Sequence, residues 1–464
     1  MPVRFTALDW FALAFGLFLG LAIVKFGNPV ILESKITPPA SAGEFWWYAW
    51  PPRWSLWLLV PLTLAGAGLA MIHRSRWPGS RWLWVLPMVW FGWQLVAALH
   101  TIDGTLTTTT LWQLGGSCAG YFLGALVLGS DRGLRLLLIG LLAGFTFCLV
   151  QAVKQKLFEF PAERQMLLES ERAGWTNLPP EVILEWKQNH AIITTNGVDI
   201  ANPVILAKYT KGRVHGTMVY PNALAGVVLL LFPIATVLAF TGTRKFRPAT
   251  RALAIAITLF LGGAGMFWTG SKSGWLIAVA LGGLWLFRLR WPMRAKWAML
   301  ALLLIAGLVV FGIRFRNYFA SGATSVSARL DYWRAASQIA WQNPAFGTGP
   351  GTFQHPYARL KRPEAEMARL VHNDYLEQFS DSGFISGITY LSWIGLLVWT
   401  LAKRTWNLEN PICFALFIGV VGWFGQGLSE FGLYVPALAW SAFTLAGCLL
   451  KLTGNQFDNK PARD

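Results

Sequence analysis

Charge is the first thing this 464-residue chain lacks. Only 13% of its residues are Asp, Glu, Lys or Arg, about half the share of an ordinary soluble domain. Acidic residues are the scarcer sign, 22 against 39 Lys and Arg. Cysteine is scarcer still: Cys118, Cys148, Cys413 and Cys448 all fall inside apolar runs, and no pair has metal-ligand spacing. They read as small buried apolar side chains and say little about redox compartment. There is no HExxH, no DxD in a good helical register and no Gly-rich loop ending in GKS or GKT. An aromatic-basic nucleic-acid motif is also absent, so the +17 net charge needs another source. What the chain has instead is apolar length. Hydrophobic residues make up 55% of it, in long runs separated by short charged clusters, and many of its 26 tryptophans sit at run ends, such as Trp46, Trp47, Trp50, Trp54, Trp77 and Trp82. Runs of about 20 apolar residues cross a bilayer as helices, and indole rings prefer its interfaces.

The expected fold class is therefore all-α: a polytopic membrane protein with about twelve transmembrane helices and two long loops on one face. Hydropathy places spans near 8–26, 54–72, 82–99, 109–129, 133–153, 219–241, 252–269, 274–290, 296–313, 383–402, 411–428 and 433–451. The first is long for a signal-peptide core, no convincing small-residue cleavage site follows it, and it reads as a retained span. With the N-terminus in the cytoplasm, inner loops collect Arg74, Arg76, Arg81, Arg132, Arg135, Arg244, Lys245, Arg247, Arg251, Arg288, Arg290, Arg294, Lys296, Lys403 and Arg404, while the short outer loops hold only Lys272. Topology thus accounts for much of the positive charge. Five regions follow: helices 1–5 in 1–153, an outer insert at 154–218, helices 6–9 in 219–313, a large basic outer loop at 314–382, and helices 10–12 with an inner tail in 383–464. The insert is mixed in charge, with short helices expected near 161–172 and 179–189, and reads as a solvated cap. From Arg314 to Val371 the second loop carries eight basic against three acidic residues, a net of +5. A basic loop beside a membrane suits an anionic partner.

Four outer-face stretches could carry chemistry: Arg213 to Asn222, Thr269 to Gly274, Ser327 to Arg334 with Asn343 to Gly351, and His372 to Glu377. A neutral imidazole at His372 can take a proton from a hydroxyl near pH 7, help worth roughly 10²–10⁴ in rate. Arg213, Lys272, Arg329 and Arg334 are the candidate cations. Guanidinium groups grip phosphate in a planar fork, and fixed cations stabilise charge growing on a departing diphosphate. A metal held by His372, Asp374 and Glu377 is the rival reading, but His372 and Glu377 are five residues apart, a poor match to one helix face. Thr348 to Gly351 reads as a tight turn rather than a phosphate loop. Ser271 with Lys272 could be a serine nucleophile with a lysine base, though the hairpin leaves little room for a site of its own.

At these residues the chain resembles the bacterial O-antigen ligase and polymerase superfamily. The pattern is Arg213, Gly216, Pro221 and Asn222; Ser271, Lys272 and Gly274; Ser327, Arg329 and Trp333; Pro344, Gly347 and Gly349; then His-Asn-Asp-Tyr-Leu-Glu from His372 to Glu377. It covers about 210–385. The resemblance implies a metal-independent, inverting glycosyltransferase in the bacterial inner membrane, needing no cofactor, with its site facing the periplasm. It would move a glycan from undecaprenyl diphosphate to a lipid A–core in ligases or to another repeat unit in polymerases. Membrane lipids would be its surroundings, and nucleic acid no partner. Arg213 and Arg329 would hold the diphosphate and His372 would activate or orient the acceptor hydroxyl. Lys272, Arg334, Asn222, Asn373 and Tyr375 would bind diphosphate or acceptor. Lys272 departs from the family, where arginine is frequent; its point charge lacks the fork. Ligation is the leading expectation, with glycan polymerisation, protein O-glycosylation and, less favoured, transport of a lipid-linked glycan as alternatives.

Overall fold

A computed structural model describes residues 4–320, 324–406 and 408–458. Helices follow the apolar runs in order: α1 (Ala7–Lys25), α2 (Ala42–Trp47), α3 (Leu56–Ile72), α4 (Trp82–Ala98), α5 (Gly104–Leu123), α6 (Asp131–Lys154), α7 (Phe160–Arg172), α8 (Pro180–Gln188), α9 (Pro203–Lys211), α10 (Pro221–Gly242), α11 (Pro248–Thr269), α12 (Lys272–Arg288), α13 (Met293–Ala320), α14 (Thr324–Gln342), α15 (Gln354–Leu360), α16 (Asp374–Trp406), α17 (Pro411–Gln426) and α18 (Pro436–Asp458). Among the described residues, nine helices are long and apolar enough to cross a membrane. All the expected spans fall on helices, but those near 82–99, 274–290 and 411–428 coincide with α4, α12 and α17, which are only 17, 17 and 16 residues long.

Packing is set by small residues. Gly16 and Gly20 on α1 face Gly140 and Gly144 on α6; a Cβ on Gly20 would stand 2.1 Å from the Gly140 carbonyl oxygen. Paired small-xxx-small motifs let two helix backbones approach this closely where burial of apolar surface gives little drive. α18 lies at the centre, buried nearly all round, while α13 lies at the edge with its apolar side chains exposed. At one end of the bundle the short basic connections cap carbonyls: Arg288 donates to the Thr405 carbonyl at 2.6 Å and Arg404 to those of Pro78 at 3.0 Å and Leu450 at 3.1 Å. The long loops gather at the opposite end.

The 154–218 insert holds the two expected helices, α7 and α8, and more. An antiparallel hairpin pairs Ile192–Thr195 (β1) with Val198–Ala201 (β2), turning through Asn196 and Gly197, both at positive φ. That is the Asn-Gly turn whose twist matches the strands. With α9 these elements enclose a small core of Leu167, Trp175, Ile192 and Ala201.

Much of the basic loop is helical. α13 extends to Ala320, and α14 and α15 follow. α16 begins at Asp374, before the span expected from 383, and breaks at Gly383, whose φ of 76° and ψ of −178° suit glycine alone. The 344–351 turn docks into this break: Phe384 N donates to the Pro344 carbonyl at 2.8 Å and Gly349 N to that of Asp381 at 2.8 Å. A Cβ on Gly347 would lie 2.3 Å from the Asp381 carbonyl carbon. The Pro344-Gly347-Gly349 motif thus shapes a tight turn that seats the loop on α16.

Candidate active site

Arg213 precedes α10 and reaches across to the α11–α12 hairpin. Its Nε donates to the Thr269 carbonyl at 2.7 Å, and one terminal nitrogen donates to Asn222 Oδ1 at 2.8 Å. Asn222 sits in the first turn of α10 and passes the contact on: its Nδ2 donates to Glu430 Oε1 at 2.6 Å. Arg329, on α14, donates to the same Glu430 oxygen and, through Nε, to the Ser429 carbonyl at 3.0 Å. His372 places Nδ1 3.4 Å from Glu430 Oε2, within ion-pair reach but without hydrogen-bond alignment. The Tyr220 hydroxyl lies 3.4 Å from that oxygen too. One carboxylate thereby joins His372, Arg329 and, through Asn222, Arg213.

Local structure explains the convergence. Arg329, Tyr332 and Trp333 share one face of α14, as residues three and four apart do. Tyr332 stacks on the His372 ring at 5.7 Å, and Trp333 Nε1 donates to the His372 carbonyl at 3.4 Å. Phe431 closes the imidazole's other side edge-on at 4.6 Å. His372 itself has φ of 56°, a conformation a non-glycine residue adopts at a cost and one concentrated at functional sites. The turn is held by its neighbours. Asn373 Oδ1 accepts from the Tyr375 and Leu376 amides at 3.1 and 3.0 Å, capping α16. Asp374 N donates to the Gly427 carbonyl at 2.7 Å, its carboxylate accepts from Leu433 N at 3.2 Å, and the Tyr375 hydroxyl donates to the Phe424 carbonyl at 2.8 Å. The His372–Tyr375 segment clamps α16 onto the end of α17 and sets His372 against Glu430.

Glu430 is 2% exposed. Burial alone would raise its carboxyl, but His372, Arg329 and Asn222 hold it below the ordinary carboxylate range. Burial works against the Arg213 guanidinium and lowers its pKa, Glu430 opposing that shift and Arg329 adding repulsion. Lys272, the first residue of α12, stands over the Phe315 ring at 5.2 Å and feels Arg213, Arg329 and Glu430 as charged neighbours. Among the described residues, Arg213, Lys272 and Arg329 thus all feel the Glu430 carboxylate.

The structure brings together His372, Arg329, Arg213 and Asn222, with Lys272 close enough to feel their charge. Asn373 and Tyr375 are positioned beside them but are engaged in the α16–α17 clamp. Arg334 points away: it pairs with Asp331 at 3.0 Å and donates to the Leu360 carbonyl at 2.9 Å, bracing α14 against α15. Glu377, part of the rival metal reading, is fully buried with neither carboxylate oxygen partnered, and Asp374 is turned to Leu433, so these carboxylates do not converge with His372. Ser271 accepts from Gly274 N at 3.3 Å and caps α12. Glu430 was missed by sequence reasoning. The signal available was a lone acid in the short 429–432 loop.

A bundle of membrane-length apolar helices, bearing a histidine–carboxylate pair among arginines and a lysine, defines a polytopic membrane protein with a charged polar cluster at one end. A family model described as O-antigen ligase matches residues 257–391. The match lies in the middle of the chain and supports its resemblance to the O-antigen ligase and polymerase superfamily. The matched segment contains Lys272, Arg329 and His372; Arg213, Asn222 and Glu430 lie outside it. A comparison with curated proteins finds no match.

Proposed function

We propose that this protein is an O-antigen ligase-like glycosyltransferase, moving a glycan from undecaprenyl diphosphate to a lipid A–core hydroxyl on the periplasmic face of the bacterial inner membrane. The observation that carries the reading is the sharing of Glu430 by His372 and Arg329, with Arg213 joined through Asn222. Nδ1 faces the carboxylate, which leaves Nε2 as the atom to meet an acceptor hydroxyl.

In the reaction the acceptor oxygen attacks the anomeric carbon and its proton passes to His372 Nε2. The bond from that carbon to the diphosphate oxygen breaks, and undecaprenyl diphosphate leaves with the bonding pair. A single displacement inverts the anomeric centre. Glu430 stabilises the imidazolium that forms, as a carboxylate partner does in other histidine bases. Arg213, Arg329 and Lys272 meet the charge developing on the diphosphate. The apolar helices accommodate the polyprenyl tail in the bilayer.

The glycan profile of a strain lacking the protein tests the reading. Ligation predicts accumulation of unligated lipid-linked glycan and loss of glycan on lipid A–core. Single-repeat products would assign polymerisation instead, glycan lost only from secreted proteins would assign protein O-glycosylation, and an unchanged profile would refute all three.

A further inference from the structure

Beside the candidate active site lies a cavity of about 730 Å³, within the size range of small-molecule sites. Its walls come from five regions: the end of α1, the α2 loop, the end of α6 with the start of α7, α9, and the His215–Val219 segment. Trp46, Trp47 and Tyr48 stand on one side at 68%, 65% and 64% exposure. Phe160, Tyr209, Glu163 and His215 stand on the others.

Two features mark this as a built site. First, α2 buries none of its own residues, yet its backbone is pinned. The Lys25 ammonium, buried at the end of α1, donates to the carbonyls of Phe45 at 2.9 Å, Trp46 at 2.6 Å and Tyr48 at 3.1 Å. A buried cation is here committed to holding exposed aromatic side chains in place. Second, α6 leaves regular geometry where it reaches the cavity, in a π-helical turn at Gln155–Glu159, a distortion frequent at functional sites. That turn aims Gln155 at the His215 segment. Gln155 Oε1 accepts from the His215 and Gly216 amides at 3.1 and 2.9 Å, and Nε2 donates to the Gly216 carbonyl at 2.9 Å. The His215 Nδ1 donates to the Met218 carbonyl at 2.6 Å, so its Nε2 is the accepting nitrogen.

We infer that this cavity binds pyranose rings of a substrate glycan. A pyranose has an apolar C–H face and a rim of hydroxyls. Aromatic faces match the first; the Glu163 carboxylate and the Gln151 amide oxygen match the second, while Gln151 Nε2 donates to Glu159 at 3.2 Å and His215 Nε2 faces Gln155 Nε2 at 3.5 Å. The location fits the same role. His215–Val219 forms one wall, and the same segment carries Arg213 at its start and runs into Tyr220 and Asn222. A sugar held there sits against the loop that places the diphosphate-facing arginine. The choice of ligand rests on the glycan-transfer reading, and the rings could belong to the donor chain or to the acceptor core.

The test is isothermal titration of the full-length protein in lipid nanodiscs with two lipid-free probes, a core oligosaccharide and an O-chain oligosaccharide. Trp47→Ala alters a helix that buries nothing, and Glu163→Gln keeps the side-chain volume. One probe is expected to bind saturably, with affinity about tenfold or more weaker in each variant. A response to the core oligosaccharide assigns the cavity to the acceptor, and to the O-chain oligosaccharide, to the donor. Binding of neither probe, or equal binding by parent and variants, overturns the inference and leaves the aromatics as lipid anchors. Binding is read without turnover, so it stands apart from the transfer reading, whose own failure would appear as undiminished transfer by His372→Ala.

Discussion

Glu430 Oε2 lies 3.4 Å from His372 Nδ1 while its other oxygen receives Arg329 and Asn222. The carboxylate thus fixes which imidazole nitrogen is left for chemistry and holds an arginine beside it. Glu430→Gln keeps the shape and removes the charge. Transfer is expected to fall by about 10²-fold or more, since the imidazolium loses its counter-charge. Steady-state kinetics in reconstituted membranes would check this; the loss should lie in kcat more than in KM.

Complete removal of the side chain should also destabilise the fold. Glu430→Ala leaves Arg329, whose side chain is 19% exposed, without its buried counter-ion, at an expected cost of about 3–5 kcal/mol. Thermal unfolding in detergent is the measurement. A melting curve matching the parent would show that Glu430 does not hold the loops together.

The pH dependence follows from the depressed Glu430 carboxyl. A group whose pKa is lower in the folded state contributes stability above its unfolded value, and loses that contribution as pH falls through the folded value. Stability should therefore decline on the acid side, below the ordinary glutamate range. Glu430→Gln should remove that part of the acid slope. Identical acid limbs in parent and variant would count against the His372–Glu430 pair.

Much of this site was legible in the sequence, for a physical reason. Apolar runs must end where polar residues meet water, so Arg213 and Lys272 stood out at run ends, and Arg329 and His372 in the basic loop between runs, in a charge-poor chain. Glu430 did not, because a single acid in a four-residue hairpin has no periodicity, and its meaning depends on which loops fold over it. The β1–β2 hairpin was legible and missed: Ile-Ile-Thr-Thr, Asn-Gly and Val-Asp-Ile-Ala spell strand, turn and strand. The role of Arg334 was legible only in part. Asp331 stands one helical turn away on α14, but the bond to the Leu360 carbonyl depends on how α15 folds back on α14.

That placement separates two arginines in one helix. Arg329→Ala should cut transfer sharply. Arg334→Ala should leave kcat near the parent value and lower the melting temperature by a few degrees, as a partly exposed pair worth about 1 kcal/mol or less would. Parallel kinetics and melting curves decide it. A kcat loss in Arg334→Ala equal to that in Arg329→Ala would place Arg334 at the reacting centre.

The break in α16 offers a backbone test. Gly383→Ala forces a Cβ to within 2.2 Å of the Ala345 carbonyl oxygen at a glycine-only conformation, costing about 1–3 kcal/mol in strain alone. Gly395→Ala, with open space around it, should be neutral or stabilising by about 0.5–1 kcal/mol. Melting curves of the two variants should move apart.

The most direct test of the central claim is transfer by the purified protein, supplied with undecaprenyl-diphosphate-linked glycan and a lipid A–core acceptor. The account predicts formation of ligated product by the parent and its near-complete loss in both His372→Ala and Arg213→Ala, with folding intact by melting curve. Undiminished transfer in both variants would contradict it.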